Sequence, residues 1–323
     1  MVESPSDRDA ESLLLHKGEI FPGLTPMMIN LHANIIHADK APTTRQRTCL
    51  LVQHFHGDSG VIAATDRDKY LEYYLAHQEH ILSLMEAIFQ RAKQTNSLHR
   101  IKFVIESLDT PWQKIADSDI LRAIVATDQG CKGKKAYNIA SQLMQNAHSK
   151  ARNTGELEML IMQLMASNRF IARRYLENTH HVLLPGRSAT NNYSSFLQFI
   201  EEWKDIDNRN SLSDEEIDAF LQRRDALFQR DFEETHAFIA SQANENIPED
   251  GYLVVLFGAG HIRGGTLGAS TPMALDDSFA TWRRISLEPK YTAKVIQEGL
   301  KHELYIHMAT KDEIRRLFVK RSD

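Results

Sequence analysis

Cysteine is nearly absent: only Cys49 and Cys131 occur in 323 residues. Two thiols cannot build a disulfide framework, and neither stands in a CxxC or similar ligand spacing, so a reducing cytoplasm is the expected setting. Long apolar runs are absent too. The longest strip, Tyr252 to Phe257, is far below the roughly 20 residues that a spanning helix needs, and no membrane span is expected. Nor is there a surplus of positive charge. Lys and Arg number 38 against 43 Asp and Glu, a net charge of −5. The brief run Lys132, Gly133, Lys134, Lys135 does not alter that balance, so nucleic acid is not an expected partner. The first eleven residues, acidic and polar, lack the basic start and apolar run of a secretory signal; only unconventional secretion would carry the chain outside the cytoplasm.

Several chemical signatures are missing as well. There is no Walker A sequence and no GxSxG elbow, which removes the common phosphate cradle and the usual serine hydrolase of α/β type. Gly258, Ala259, Gly260, His261, Ile262, Arg263 begins like a dinucleotide fingerprint, but Arg263 stands where the third glycine belongs.

What is present is an ordinary globular composition, 42% hydrophobic and 25% charged. Residues 1–20 read as a tail. Thr25 and Pro26 then predict the cap and first residue of a helix over Met27 to Ala38, with Met28, Leu31, Ile35 and Ala38 on its docking face. Residues 1–44 are therefore read as tail and docking helix, and 45–323 as one α/β domain with a helical insertion at about 110–247. Thr48 to Gln53, Arg100 to Glu106 and Tyr252 to Phe257 read as strands buried on both faces, because their apolar centres do not alternate. A long helix that starts at Thr65 with Asp66 and Asp68 and reaches about Thr95 separates the first two, and that strand, helix, strand order predicts a parallel pairing. Leu184, Pro185, Gly186 reads as a break. Ser213 with Glu216 has capping-box spacing ahead of another long helix. Weaker strands are expected near Trp282 to Ser286 and Glu303 to Met308, each followed by a helix. The expected architecture is a central mixed, largely parallel sheet with helices on both faces.

Each strong strand runs into residues able to do chemistry: Gln53, His54, Phe55 and His56 after the first, Glu106 after the second, Gly258 to His261 after the third. In open parallel sheets, ligands bind beyond the carboxyl ends of the strands, where distant loops converge. His56, Glu106 and His261 are accordingly the expected catalytic residues and the expected ligands of a divalent Mn, Zn or Co ion. Such a site would activate water, and without the ion the same groups could serve as general base and acid. His54 is the alternative to His56. Gly258 and Gly260 allow close approach of backbone to a ligand, and with Arg263 they are expected substrate contacts.

These segments resemble the superfamily that joins Tiki metalloproteases, TraB-like proteins, ChaN-like haem-binding proteins and erythromycin esterases. The resemblance rests on Gln53 to His56 at the first strand, Glu106 on the next, Ser167 to Ala172 as an RNxxMA-like helix segment, and Gly258 to His261 late in the chain. Gln53 replaces the family's glycine, and Arg169 is displaced by two places. The resemblance implies a metal-assisted hydrolase cleaving an amide or ester bond in a small-molecule or peptide substrate, with Asn168 and Arg169 lining the pocket. The second reading is a haem or small-ligand binder on the same fold without turnover, and the third, from another class, is an interaction module with a vestigial site.

Other clusters are read as structural. Glu233 and His236 form an ExxH pair on a helix surface, since a di-iron site needs a second such pair. Asp205 to Asn210 lacks the glycine of a calcium loop. His77 with His80, and His180 with His181, are read as surface histidines.

Overall fold

The computed structural model describes residues 20, 24–40, 46–55, 67–106, 164–187, 202, 212–258, 261–262, 273–300 and 310–319. The first part of the expected helical insertion, up to residue 163, the strand near 303–308, the basic run 132–135 and the segment 205–210 lie outside these residues. The described strands are β1 (Ala33–Ala38), β2 (Thr48–His54), β3 (Ile101–Ile105), β4 (Leu183–Pro185), β5 (Tyr252–Gly258) and β6 (Arg283–Pro289). They form one sheet in the order β1-β6-β2-β5-β3-β4, parallel throughout except for the antiparallel edge pair β1 and β6. The described helices are α1 (Pro26–Asn30), α2 (Arg67–Gln94), α3 (Ala166–Leu176), α4 (Asp214–Asn246), α5 (Thr292–Leu300) and α6 (Lys311–Val319).

Alternation along each strand sends neighbouring side chains into two different cores. Leu50, Val52, Phe103, Ile105, Val254 and Leu256 pack with α2 and α3 on one face. Cys49, Leu51, Val104, Val255 and Phe257 pack with α4 and with Met273, Phe279 and Trp282 on the other. Burial on both sides explains why all seven residues of β2 are buried and why the strand shows no polar face in the sequence. The Ser213 capping box of α4 is formed as expected, with Ser213 Oγ accepting from Glu216 N at 3.2 Å and Glu216 Oε2 accepting from Ser213 N at 2.8 Å.

Three expectations about elements are corrected. The helix expected over Met27 to Ala38 stops at Asn30, and Ala33–Ala38 is the edge strand β1, so this segment belongs to the sheet. Thr25 does cap α1, but Met28 and Leu31, placed on the docking face, are 41% and 66% exposed. The β-branched pair Ile35 and Ile36 favours extended backbone, and pairing such as Ile35 with Leu287 supplies the ladder. Leu183–Pro185, read partly as a break, pairs with Phe103 to Ile105. Proline is tolerated there because β4 is an edge, where a missing N–H costs no ladder bond. Finally, β2 and β3 are parallel but do not touch: β5 lies between them.

Two tests of this edge geometry follow. Asp39 fastens the end of β1 to β6: its Oδ2 accepts from Arg284 N at 2.8 Å and from Arg284 Nε at 3.1 Å. Burial alone would raise its carboxyl, but these bonds, the Arg284 charge and His37 hold it below the ordinary value. A carboxyl depressed in the folded state stabilises above the unfolded-state value of about 3.9. That stabilisation is lost as pH falls through the lower folded value. Asp39→Asn is therefore expected to unfold at lower urea than the parent chain at neutral pH, and the gap to narrow in acid. At the opposite edge, a Cβ on Gly186 would lie 2.5 Å from Ile105 O and 3.2 Å from Phe257 Cζ. Gly186→Ala must push β4 from β3 and is expected to cost about 1–3 kcal/mol in urea unfolding.

Candidate functional site

The carboxyl ends of β2, β5, β3 and β4 lie side by side, so the residues following them share one rim of the sheet. On the α4 side of that rim the sequence-expected residues Glu106, Gly258 and His261 do come together. Glu106 is tied to β5 twice: its N–H donates to Leu256 O at 3.1 Å, and its Oε2 accepts from Gly258 N at 2.6 Å. Its other oxygen, Oε1, lies 3.9 Å from His261 Nε2 and 3.8 Å from Arg187 Nη2. Arg187 in turn stands 3.5 Å from Asp231 Oδ2 on α4. Burial pushes the Asp231 carboxyl above its ordinary value; Arg187 opposes the shift, and Glu106 and Glu234 reinforce it.

The His261 ring is held by packing and by polar contact. Phe232 of α4 stacks on it with centroids 3.8 Å apart, and Phe257 meets it edge-on at 5.2 Å. His261 Nδ1 lies 3.3 Å from His236 Nε2, and His236 Nδ1 lies 2.7 Å from Asp276 Oδ2. The second Asp276 oxygen accepts from Ser278 N at 2.8 Å. Burial would raise the Asp276 carboxyl, but the bonds with His236 and Ser278 prevail and hold it below its ordinary value.

The remaining expected residues separate into two groups. His56, Gly260 and Arg263 lie outside the described residues. His54, Asn168 and Arg169 are placed on the opposite face of the sheet, with α2 and α3. This corrects the expectation that they line the same pocket as Glu106 and His261. Position 54 shares the parity of Leu50 and Val52, and its Nε2 meets Gln78 Oε1 at 3.2 Å. Gln78 also accepts from Ala166 N at 2.9 Å and donates to Phe55 O at 2.9 Å, while His77 Nε2 accepts from Phe55 N at 3.2 Å. Arg169 pairs with Glu79 of α2. This cluster clamps the exit of β2, immediately before His56. Among the described residues, the helix segment set beside Glu106 and His261 is Asp231 to His236 of α4, and Arg187 is the arginine.

Two readings of histidines as surface residues are also corrected, because His236 and His77 are both 0% exposed. His236 was detectable in the sequence: it lies on the stripe Phe232, Thr235, His236, Ile239, Ala240, Ala243, whose spacing is that of one buried helix face. A histidine on such a face needs a polar partner. Gln53 stands among the polar residues at the end of the first strand and departs from the family's glycine. It is fully buried with the α4-facing parity of Cys49 and Leu51, opposite Phe257, and neither carboxamide atom has a partner among the described residues. A buried amide without a partner destabilises the fold, which marks Gln53 as a candidate ligand contact.

The donors suit an ion only in part. Glu106 Oε1 and His261 Nε2 are of the right kind for Mn, Zn or Co and face one another. Among the described residues no group of three His, Cys, Asp or Glu side chains could hold an ion, so a third donor would have to come from elsewhere, His56 being the one expected. No described helix is long and apolar enough to cross a membrane. Compared with known proteins, the chain matches no family model, no curated protein and no solved structure.

Proposed function

We propose that the protein is a hydrolase that cleaves an amide or ester bond in a small-molecule or peptide substrate, using water activated between His261 and Glu106. The observation that carries this reading is the placement of His261 Nε2 and Glu106 Oε1 3.9 Å apart at the ends of neighbouring parallel strands, where ligands of such sheets bind. His261 Nε2 takes a proton from water as the oxygen attacks the carbonyl carbon. The same proton then passes to the departing nitrogen or oxygen as the scissile bond breaks. Glu106, oriented by Gly258 N–H, holds the water. Arg187 offsets the negative charge that develops on the carbonyl oxygen. A divalent ion held by Glu106, His261 and His56 would lower the pKa of bound water towards neutrality. The buried free thiol of Cys49 suits a cytoplasmic setting.

The test pairs metal analysis of the purified chain with a panel of ester and peptide substrates, for the parent and His261→Ala. The reading expects turnover that the variant loses while its fold is retained, and in the metal-assisted form stoichiometric Mn, Zn or Co that is lost with it. A Soret band after haem reconstitution, without turnover, would favour the ligand-carrier alternative. The absence of metal, chromophore and turnover would favour the interaction module.

A further inference from the structure

His236 and Asp276 take no part in the chemistry proposed above, yet both are built into the core beside it. A fully buried imidazole with a carboxylate on one nitrogen and a second imidazole on the other has few arrangements of its protons open to it. The nearest nitrogens of His236 and His261 are 3.3 Å apart and the ring centroids 5.5 Å. The difference is about two ring radii, so the rings meet nearly end-on, the geometry of an N–H···N hydrogen bond. Two nitrogens converging on a shared ion would instead be angled towards it.

We infer that Asp276 and His236 are positioning residues that lock His261 in the tautomer carrying its proton on Nδ1, leaving Nε2 as the deprotonated nitrogen that faces Glu106. The proton assignments run from one end of the chain of contacts to the other. Asp276 is ionised and accepts, so His236 carries a proton on Nδ1. With that proton on Nδ1, His236 presents Nε2 as the acceptor of His261 Nδ1–H. One proton remains for His261, and it is on Nδ1. The nitrogen aimed at Glu106 is thereby made the base or ligand by contacts on the far side of the ring. When His261 Nε2 takes a proton from water, its Nδ1 proton can shift to His236 Nε2. The positive charge then resides on His236 against the Asp276 carboxylate, and no proton is gained or lost overall. Stacking on Phe232 and the edge contact with Phe257 keep the ring from turning out of this line.

This inference rests on His261 being the water-activating group, but its test does not require turnover. The full chain is prepared with ¹⁵N-labelled histidine, and the two-bond and three-bond couplings of each ring distinguish Nδ1–H from Nε2–H. The signal lost in His261→Ala identifies residue 261. The parent chain is expected to show residue 261 as Nδ1–H. His236→Phe removes the acceptor and is expected to switch it to Nε2–H, whereas His236→Gln, whose carboxamide can accept from His261 and donate to Asp276, is expected to retain Nδ1–H. Should His236→Phe not fold, Asp276→Ala supplies the second reading, with loss of the Nδ1–H form expected. An Nε2–H form in the parent chain, or an Nδ1–H form indifferent to His236→Phe and Asp276→Ala, would overturn the inference. Turnover is measured separately, with kcat expected to fall about 10- to 100-fold in His236→Phe at little change in KM. A parent chain with the Nδ1–H form but no turnover on any substrate would sink the hydrolase reading alone.

Discussion

Glu106→Gln is expected to reduce hydrolysis by about 10²- to 10⁴-fold while leaving thermal unfolding close to that of the parent chain. Glutamine keeps an oxygen able to accept from Gly258 N–H, so the tie that closes β3 on β5 survives. The negative charge facing His261 and Arg187 does not survive, and with it go the orientation of water and any contribution to ion binding. The measurement is kcat/KM on whichever ester or peptide the parent chain turns over, set beside a melting curve. A purely structural Glu106 would give the opposite pattern, with stability falling on Glu106→Ala and activity of the glutamine variant retained. His261→Ala is expected to cost a similar factor, and the double variant little more, because groups acting as one unit do not contribute additively.

The second large effect concerns stability and lies away from the site. Arg174 of α3 is fully buried, with its guanidinium 3.5 Å above the Phe89 ring and 4.7 Å from Phe170. Glu86 of α2 receives it with both oxygens, at 3.0 and 3.1 Å. Burial draws the arginine below its ordinary value, and Glu86 and then Glu177 oppose that shift. Removing Glu86 leaves the buried guanidinium only the longer contact with Glu177 Oε2, at 3.6 Å, among the described residues, and also takes the 3.3 Å partner of Arg173. Glu86→Ala is therefore expected to cost about 3–5 kcal/mol in urea unfolding. Arg174→Met, which keeps the volume and removes the charge, is expected to cost far less, because an apolar group in place of a buried ion pair is often neutral. Equal losses in the two variants would show the pair to be solvated and the aromatic contacts to be the greater part of the stabilisation.

Strands β2, β3 and β5 were readable because burial on both faces leaves an unbroken apolar run, a signal that needs no knowledge of partners. Strand β1 was not. Met28, Leu31, Ile35 and Ala38 fall at helical spacing by coincidence, and the ladder that makes the segment extended comes from β6, late in the chain. Strand β4 was hidden by Pro185, whose acceptability depends on its being at an edge. Glu106 and His261 were legible for one reason: chemistry-bearing residues directly after parallel strands converge. Arg187 also follows a parallel strand, β4, and was missed because Leu184, Pro185, Gly186 reads as a break, whereas Asp231 and His236 reach the same place through the packing of α4 and Asp276 through a short turn, an approach that no local pattern encodes. Only His236 carried a hint, a polar residue on an otherwise apolar stripe. The two faces of the rim were not separable in advance, which is why His54 and Arg169 were assigned to a pocket they do not share.

The central place of β5 sets the order in which a newly made chain can be completed. Thr48 of β2 and Ile101 of β3 both take Tyr252 as their partner. Until the ribosome has delivered that late segment, two greasy strand edges that will later flank it have nothing native between them. At about 5–20 residues per second, the gap after β2 emerges lasts roughly 10–40 seconds. Open edges of this kind are templates for pairing between molecules. The finished sheet conceals both edges, because β5 pairs with each of them along its length.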